Sequence, residues 1–235
     1  VEQMKDWKNG AVGRPFIASF SGGKDSVLAL YKGMQTGRAV GLIVMLEEEG
    51  KRSRSHGMPP KLIQAQADSI GLPVFTAAAS WEGYESRFMG LLTRAKNQGA
   101  EVLVTGDLDV PAHGCWHERV SQNVGLGLGM PLWGMDHREA VQEFIDLGFT
   151  TIVVTVNLSL GMREEDLGRT LTHDYIKELE ARGIDPCGEG GEFHTTVIDG
   201  PIFKQPIPVR KCRIRKEGVY AFLPLELNES VEFHS

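Results

Sequence analysis

Cysteine is scarce in this 235-residue chain: three residues, Cys115, Cys187 and Cys212, an odd number with no Cys-x-x-Cys spacing. That excludes a disulfide framework, a zinc ribbon and a redox dithiol, and points to a reducing, cytoplasmic setting. No apolar run approaches the roughly 18 residues that a membrane helix needs, so no membrane partner is expected. Residues 1–14 are polar and lack the apolar core of a signal peptide. An excess of positive charge is missing too, because the formal net charge is −6. Nucleic-acid binders usually carry a basic face that neutralises phosphates. The densest basic segments are Lys51-Arg52-Ser53-Arg54 and Arg210-Lys211-Cys212-Arg213-Ile214-Arg215-Lys216, and the second alternates as the solvated side of a strand would. Nucleic acid is therefore not an expected partner. A Walker A loop is absent, and so is a dinucleotide fingerprint after a strand. Gly125-Leu126-Gly127-Leu128-Gly129 follows a helical stretch and reads as a loop.

What remains is an ordinary globular composition, 41% hydrophobic and 24% charged, with a clear alternation. Strands are expected over residues 15–20, 40–46, 73–77, 101–105 and 150–156. Helices are expected over 25–35, 59–70, 82–98, 113–123 and 138–147, several ending at glycine. Runs such as Gly41-Leu42-Ile43-Val44-Met45-Leu46 are apolar on both faces. A strand of that kind belongs in a parallel sheet covered on both sides. The fold class is therefore α/β, a doubly wound, mostly parallel sheet, with a smaller C-terminal α+β lobe. Residues 1–156 form the nucleotide-binding domain in this reading, and residues 157–235 form the second lobe. That lobe holds a helix over 172–182 with Thr172 as its N-cap, then strands over 193–197, 203–209 and 211–221.

The first expected strand runs directly into Ser21-Gly22-Gly23-Lys24-Asp25-Ser26, and a helix follows. Two glycines let backbone N–H groups approach an anion, and the helix start adds unpaired donors. Ser21 and Ser26 supply hydroxyls, and Lys24 supplies a positive charge. Asp25 has the wrong sign to touch phosphate; it either caps the helix or holds Mg²⁺. Gly106-Asp107 follows the fourth expected strand, so Asp107 falls on the same rim, as a Mg²⁺ ligand or a nucleotide contact, or else as the start of a turn. Glu118-Arg119 is either solvated surface or part of that rim. The block Asp185-Pro186-Cys187-Gly188-Glu189-Gly190-Gly191-Glu192-Phe193-His194-Thr195 concentrates glycines, acids and a histidine before a strand. Glu189 and Glu192 there suit an ammonium ion and its proton, and His194 suits general-base work. Cys187 reads as a packed thiol, since no histidine lies beside it in sequence.

The hexapeptide 21–26 resembles the PP-loop ATP pyrophosphatases, which hold the leaving pyrophosphate of ATP in that loop. Further segments narrow the resemblance: Ser55-His56-Gly57, Pro131-Leu132-Trp133-Gly134, Leu167-Gly168-Arg169, Gly188–Thr195 and Asp199-Gly200-Pro201-Ile202-Phe203. Together they resemble the diphthine–ammonia ligase family, from about residue 16 to residue 203. The segment from Leu108 to Val120 is similar to the bacterial-type branch. The resemblance implies ATP as cofactor, with Ser21, Gly22, Gly23, Lys24, Asp25 and Ser26 on the nucleotide. The rim position adds Asp107 to the nucleotide site, with Asp25 and Asp107 as the expected Mg²⁺ ligands, and the acidic block's own chemistry makes Glu189, Glu192 and His194 the expected catalytic residues. The resemblance also implies ammonium as the small-molecule partner and translation elongation factor 2 as the protein substrate, and a homodimer is allowed. Two rivals stay open: a tRNA-thiolating pyrophosphatase, and a nucleotide sensor without turnover. If the acceptor carries a quaternary ammonium, Phe193, Trp116 and Trp133 are the aromatic rings available to it, against a default role in the core.

Overall fold

A computed structural model describes residues 6–53 and 57–228. Arg54, Ser55 and His56, named above, lie outside the described residues. The described chain divides into two compact units. One comprises residues 6–21, 25–50 and 72–135; the other comprises 22–24, 51–53, 57–71 and 136–228. No helix among the described residues is long and apolar enough to cross a membrane.

The first unit is built on a five-stranded, all-parallel sheet. Its strands are β1 (Pro15–Ser19), β2 (Arg38–Leu46), β3 (Val74–Ala78), β4 (Val102–Val104) and β5 (Gly127–Gly129), in the order β3-β2-β1-β4-β5. Leu103 and Ile43 flank Ile17 and Ser19 on neighbouring strands, and all three apolar side chains are buried. Helices α1 (Lys24–Thr36), α3 (Tyr84–Asn97) and α4 (Pro111–Val124) form the connections here. Phe88, Leu92, Val120, Leu126 and Met130 close the core over Ile17, Ile43 and Leu103. The doubly wound parallel sheet is the expected one. The glycine-rich run 125–129 differs from its reading as a loop. Gly127–Gly129 is a strand because it completes the ladder beside β4, with Val102 opposite Gly127 and Val104 opposite Gly129. In this strand order the chain direction of growth reverses between β1 and β4, which is where ligands of such sheets bind.

The second unit contains α2 (Pro60–Ile70), α5 (His137–Asp146), β6 (Thr150–Asn157), α6 (His173–Ala181) and β7 (Phe193–Asp199). It ends with β8 (Val209–Lys211), β9 (Arg215–Glu217), β10 (Tyr220–Phe222) and β11 (Leu225–Leu227). β6 pairs antiparallel with both β7 and β10 in a sheet of order β7-β6-β10-β9, while β8 and β11 form a separate pair. Val153, Val156, Tyr175, Leu179, Phe193 and Ala221 form its core. Thr172 caps α6 as its sequence predicts, accepting from the Tyr175 amide at 3.2 Å. Residues 203–208 form no strand, contrary to the alternation read in them. Pro206 and Pro208 have no N–H to give to a ladder, and Ile207 instead donates to the Ile198 carbonyl at 2.7 Å.

A charged network sits inside this unit. Asp166, 2% exposed, accepts from both terminal nitrogens of Arg182 at 2.9 and 2.8 Å and from the Arg163 amide at 2.8 Å. Arg169, from the Leu167-Gly168-Arg169 segment, pairs with both oxygens of Glu178 at 2.7 Å and lies 3.8 Å over the Tyr175 ring. That arginine is thus committed to packing α6.

Candidate active site

The loop 21–26 connects β1 to α1, as the order strand–glycines–helix demands. Its two serines meet: the Ser21 hydroxyl donates to Ser26 Oγ at 3.1 Å, and the Ser21 amide reaches the same oxygen at 3.3 Å. Gly22 has φ +78°, and a side chain there would strike Gln66 Oε1 at 2.4 Å, so only glycine fits. Gly106 is held as closely. A Cβ on it would lie 2.7 Å from the Asp25 carbonyl and 2.9 Å from the Ser26 amide nitrogen. The end of β4 therefore presses on the loop-to-helix junction, and Asp107 follows on the same rim as Ser21, Asp25 and Ser26.

Asp107 is embedded in partners the sequence reading did not assign. Its Oδ2 accepts from the Thr105 hydroxyl at 2.7 Å, and its Oδ1 lies 3.2 Å from His113 Nδ1. His117 Nδ1 lies 3.3 Å from Oδ2, off the direction of a hydrogen bond. Burial pushes the His117 pKa down; the Asp107 charge opposes that shift, the His113 charge adds to it, and the His113 backbone opposes it. His113 and His117 occupy one face of α4, one turn apart. Asp25 and Asp107 offer carboxylate oxygens, the donor type that Mg²⁺ prefers. Gly106 packs on the Asp25 backbone, which brings those two segments together, and the donor type is one the ion accepts. Arg119 is held by Glu85 through two bonds of 2.7 Å, and Glu118 accepts from Trp7 at 3.4 Å; both belong to the packing of this unit.

In the second unit, the loop's glycine end lies beside β7. The Gly22 carbonyl accepts from the Val197 amide at 2.9 Å, and the Lys24 amide donates to Thr195 Oγ1 at 3.2 Å. Lys24 is buried, with its ammonium 5.9 Å above the Phe193 ring. These contacts bring Gly22 and Lys24 to the strand that carries His194 and continues the acidic block. Glu189 and Glu192 are half-buried. Glu192 Oε2 is buried without a hydrogen-bond partner, and its backbone carbonyl accepts from Asn157 at 2.7 Å. Such an oxygen costs about 1–3 kcal/mol unless something polar meets it.

Two family models account for nearly all of this architecture. The diphthamide synthase N-terminal domain matches residues 15–128, and the diphthamide synthase C-terminal domain matches residues 136–231. The chain belongs to the diphthamide synthase family. Proteins named diphthine–ammonia ligase are among its relatives. The Bos taurus protein is 31% identical over 50% of this chain and 45% of its own length. The Homo sapiens protein is 30% identical over the same shares, 50% and 45%. The Saccharomyces cerevisiae protein is 24% identical over 84% of this chain and 35% of its own length. The chain thus spans less than half the length of these relatives. In this diphthamide synthase family member the three aromatics singled out above are packing residues. Phe193 is 2% exposed, Trp116 lies against Phe88 and Tyr84, and Trp133 sits edge-on to Trp7 at 4.9 Å.

Gln66 is the site residue that motif reading missed. It is fully buried on α2, and its Nε2 donates to the carbonyls of Gly22 at 3.1 Å and Val197 at 2.7 Å. Leu62, Ile63, Gln66, Ala67, Ser69 and Ile70 form the buried stripe of that helix. A glutamine in a mostly apolar stripe has to be hydrogen-bonded, and that is the available signal.

The Gly106 contact gives a direct test. Gly106→Ala is expected to displace the Asp25–Ser26 backbone, lowering stability by about 1–3 kcal/mol and weakening ATP binding more than roughly tenfold. Urea unfolding and calorimetric titration with ATP measure the two effects. Unchanged affinity in the alanine variant would mean that this contact does not shape the loop.

Proposed function

We propose that this chain is an ATP-dependent carbon–nitrogen ligase that amidates diphthine, releasing AMP and pyrophosphate. The observation that carries the reading is the pair of bonds from Gly22 and Lys24 to Val197 and Thr195. They tie the anion-gripping loop to the strand that leads out of the acidic block. The family membership and the names of its relatives support the same reading.

A carboxylate is a poor electrophile because its charge is delocalised. One of its oxygens attacks the α-phosphorus of ATP, and the bond from that phosphorus to the bridging oxygen breaks. Pyrophosphate leaves and an acyl adenylate remains. Ser21, Lys24, Ser26 and the amides of Gly22 and Gly23 bind the leaving group and stabilise its charge. A Mg²⁺ held by Asp25 and Asp107 would neutralise phosphate charge. Ammonium bound by Glu189 and Glu192 gives up a proton, with His194 as general base. The ammonia nitrogen then attacks the acyl carbon, and the carbon–oxygen bond to AMP breaks. The protein substrate is elongation factor 2 carrying diphthine, and a homodimeric assembly is compatible with this scheme.

The buried oxygen of Glu192 makes the role of that carboxylate testable. Glu192→Gln is expected to leave ATP affinity within about twofold and to lower amide formation by ~10²-fold, the usual contribution of a positioned acid or base. An equal loss in ATP binding would assign Glu192 to the nucleotide instead.

The whole reading is tested by AMP formation with diphthine-bearing elongation factor 2, ammonium and ATP. One AMP and one pyrophosphate per amide are expected. AMP release with another carboxylate, and none with diphthine, would keep the adenylation and remove the acceptor. No AMP with any carboxylate would overturn the ligase.

A further inference from the structure

We infer that Asp185, braced by His137, is a positioning residue that fixes Glu189 in the acidic loop. The inference rests on the ligase reading for what Glu189 does, and on this unit alone for how it is held. Pro186 has no N–H, so the loop's first available amides are those of Cys187, Gly188 and Glu189. All three end on Asp185. Its Oδ1 accepts from the Cys187 amide at 2.9 Å, its backbone carbonyl from Gly188 at 3.0 Å, and its Oδ2 from Glu189 at 3.1 Å. The turn needs Gly188, which has φ +73° and whose Cβ would sit 3.0 Å from the Phe193 carbonyl.

The carboxylate is itself oriented from outside the loop. His137 Nδ1 lies 2.8 Å from Asp185 Oδ2. His137 is the first residue of α5, and Asp136 caps that helix by accepting from Glu139 at 3.1 Å. A helix terminus therefore anchors an imidazole, the imidazole anchors a carboxylate, and the carboxylate anchors three successive amides. Both Asp185 oxygens are engaged in this way. The peptide plane entering Glu189 is fixed, and with it the position from which the Glu189 side chain starts. Misplacing a reacting group by about 1 Å costs on the order of 100-fold in rate, so a loop held at one end by a single carboxylate is sensitive to it.

Asp185→Ala, Asp185→Asn and His137→Gln test this in the full chain. Asp185→Ala should lower kcat for amide formation roughly 30-fold while ATP–pyrophosphate exchange and the KM for ATP stay within about twofold. Asp185→Asn should recover only part of that loss, because its one side-chain oxygen can replace Oδ1 or Oδ2 but its NH2 cannot accept from the other amide. Hydrogen exchange at the Cys187 and Glu189 amides should accelerate at least tenfold in Asp185→Ala and less in His137→Gln. Equal losses in both partial reactions would reduce Asp185 to a folding role and overturn the inference, as would unchanged exchange at Glu189. If the wild-type chain forms no amide, the ligase reading fails, and the exchange rates at Glu189 decide the inference alone.

Discussion

Lys24→Met is expected to slow AMP formation by ~10²–10³-fold, the usual cost of removing one donor from a charge-stabilising site. Lys24 is 5% exposed, so its stem is part of the packing, and in the proposed mechanism its ammonium meets the leaving pyrophosphate. Methionine keeps an unbranched stem of similar length, and volume-conserving swaps of this kind usually cost under about 1.5 kcal/mol. The backbone bond from the Lys24 amide to Thr195 is untouched by the change. The expected result is a folded protein with a urea midpoint near that of the wild type and little turnover. Single-turnover AMP release measures the rate. A wild-type rate in a folded variant would remove Lys24 from the leaving-group site.

Asp166→Ala should produce the largest loss of stability, about 3–5 kcal/mol, because it leaves the largely buried Arg182 guanidinium with only a 3.8 Å contact to Glu178 as counter-charge. Arg182 and the Arg163 amide would lose three hydrogen bonds between them. Burial alone would raise the Asp166 pKa. The Arg182 bonds, the Arg163 amide and the Tyr175 hydroxyl outweigh burial and hold it below the usual carboxylate range. The folded value is therefore depressed relative to an unfolded Asp at about 3.9. The stabilisation is fully present above that value and disappears as pH falls through the lower, folded one. Urea unfolding of both proteins should show the gap at pH 7 and a narrower gap near about pH 3. A difference under about 1 kcal/mol at pH 7 would show that the network is not a stabilising centre.

How far the sequence carried this far depended on whether a signal was local. The loop 21–26 is contiguous, and its residue types, order and flanking elements together identify an anion site. The block 185–195 was legible for the same reason. Strand β6 falls where residues 150–156 predict a strand, yet the expectation groups it with the mostly parallel domain. A strand's own pattern records burial on each face and says nothing of its partners' direction. Here β7 and β10 both run antiparallel to it. Gly127–Gly129 carries no strand propensity and becomes one only through the ladder beside β4. The partners of Asp107 were hidden likewise. His113 and His117 meet it only because α4 folds back beside the end of β4, although their four-residue spacing already placed both rings on one helix face.

Gln66 has a consequence beyond fastening. A trans peptide is planar, and its C=O and N–H point in opposite directions. Gln66 Nε2 and the Val197 amide both draw the Gly22 carbonyl to one side. The same plane must then turn the Gly23 N–H to the opposite side. The direction of one peptide group in the glycine loop is therefore set jointly by a strand amide and by an amide side chain on a different helix. Gln66→Leu would keep the volume of that helix face and leave the Val197 amide alone to hold the plane, so the direction of the Gly23 N–H would be less firmly set.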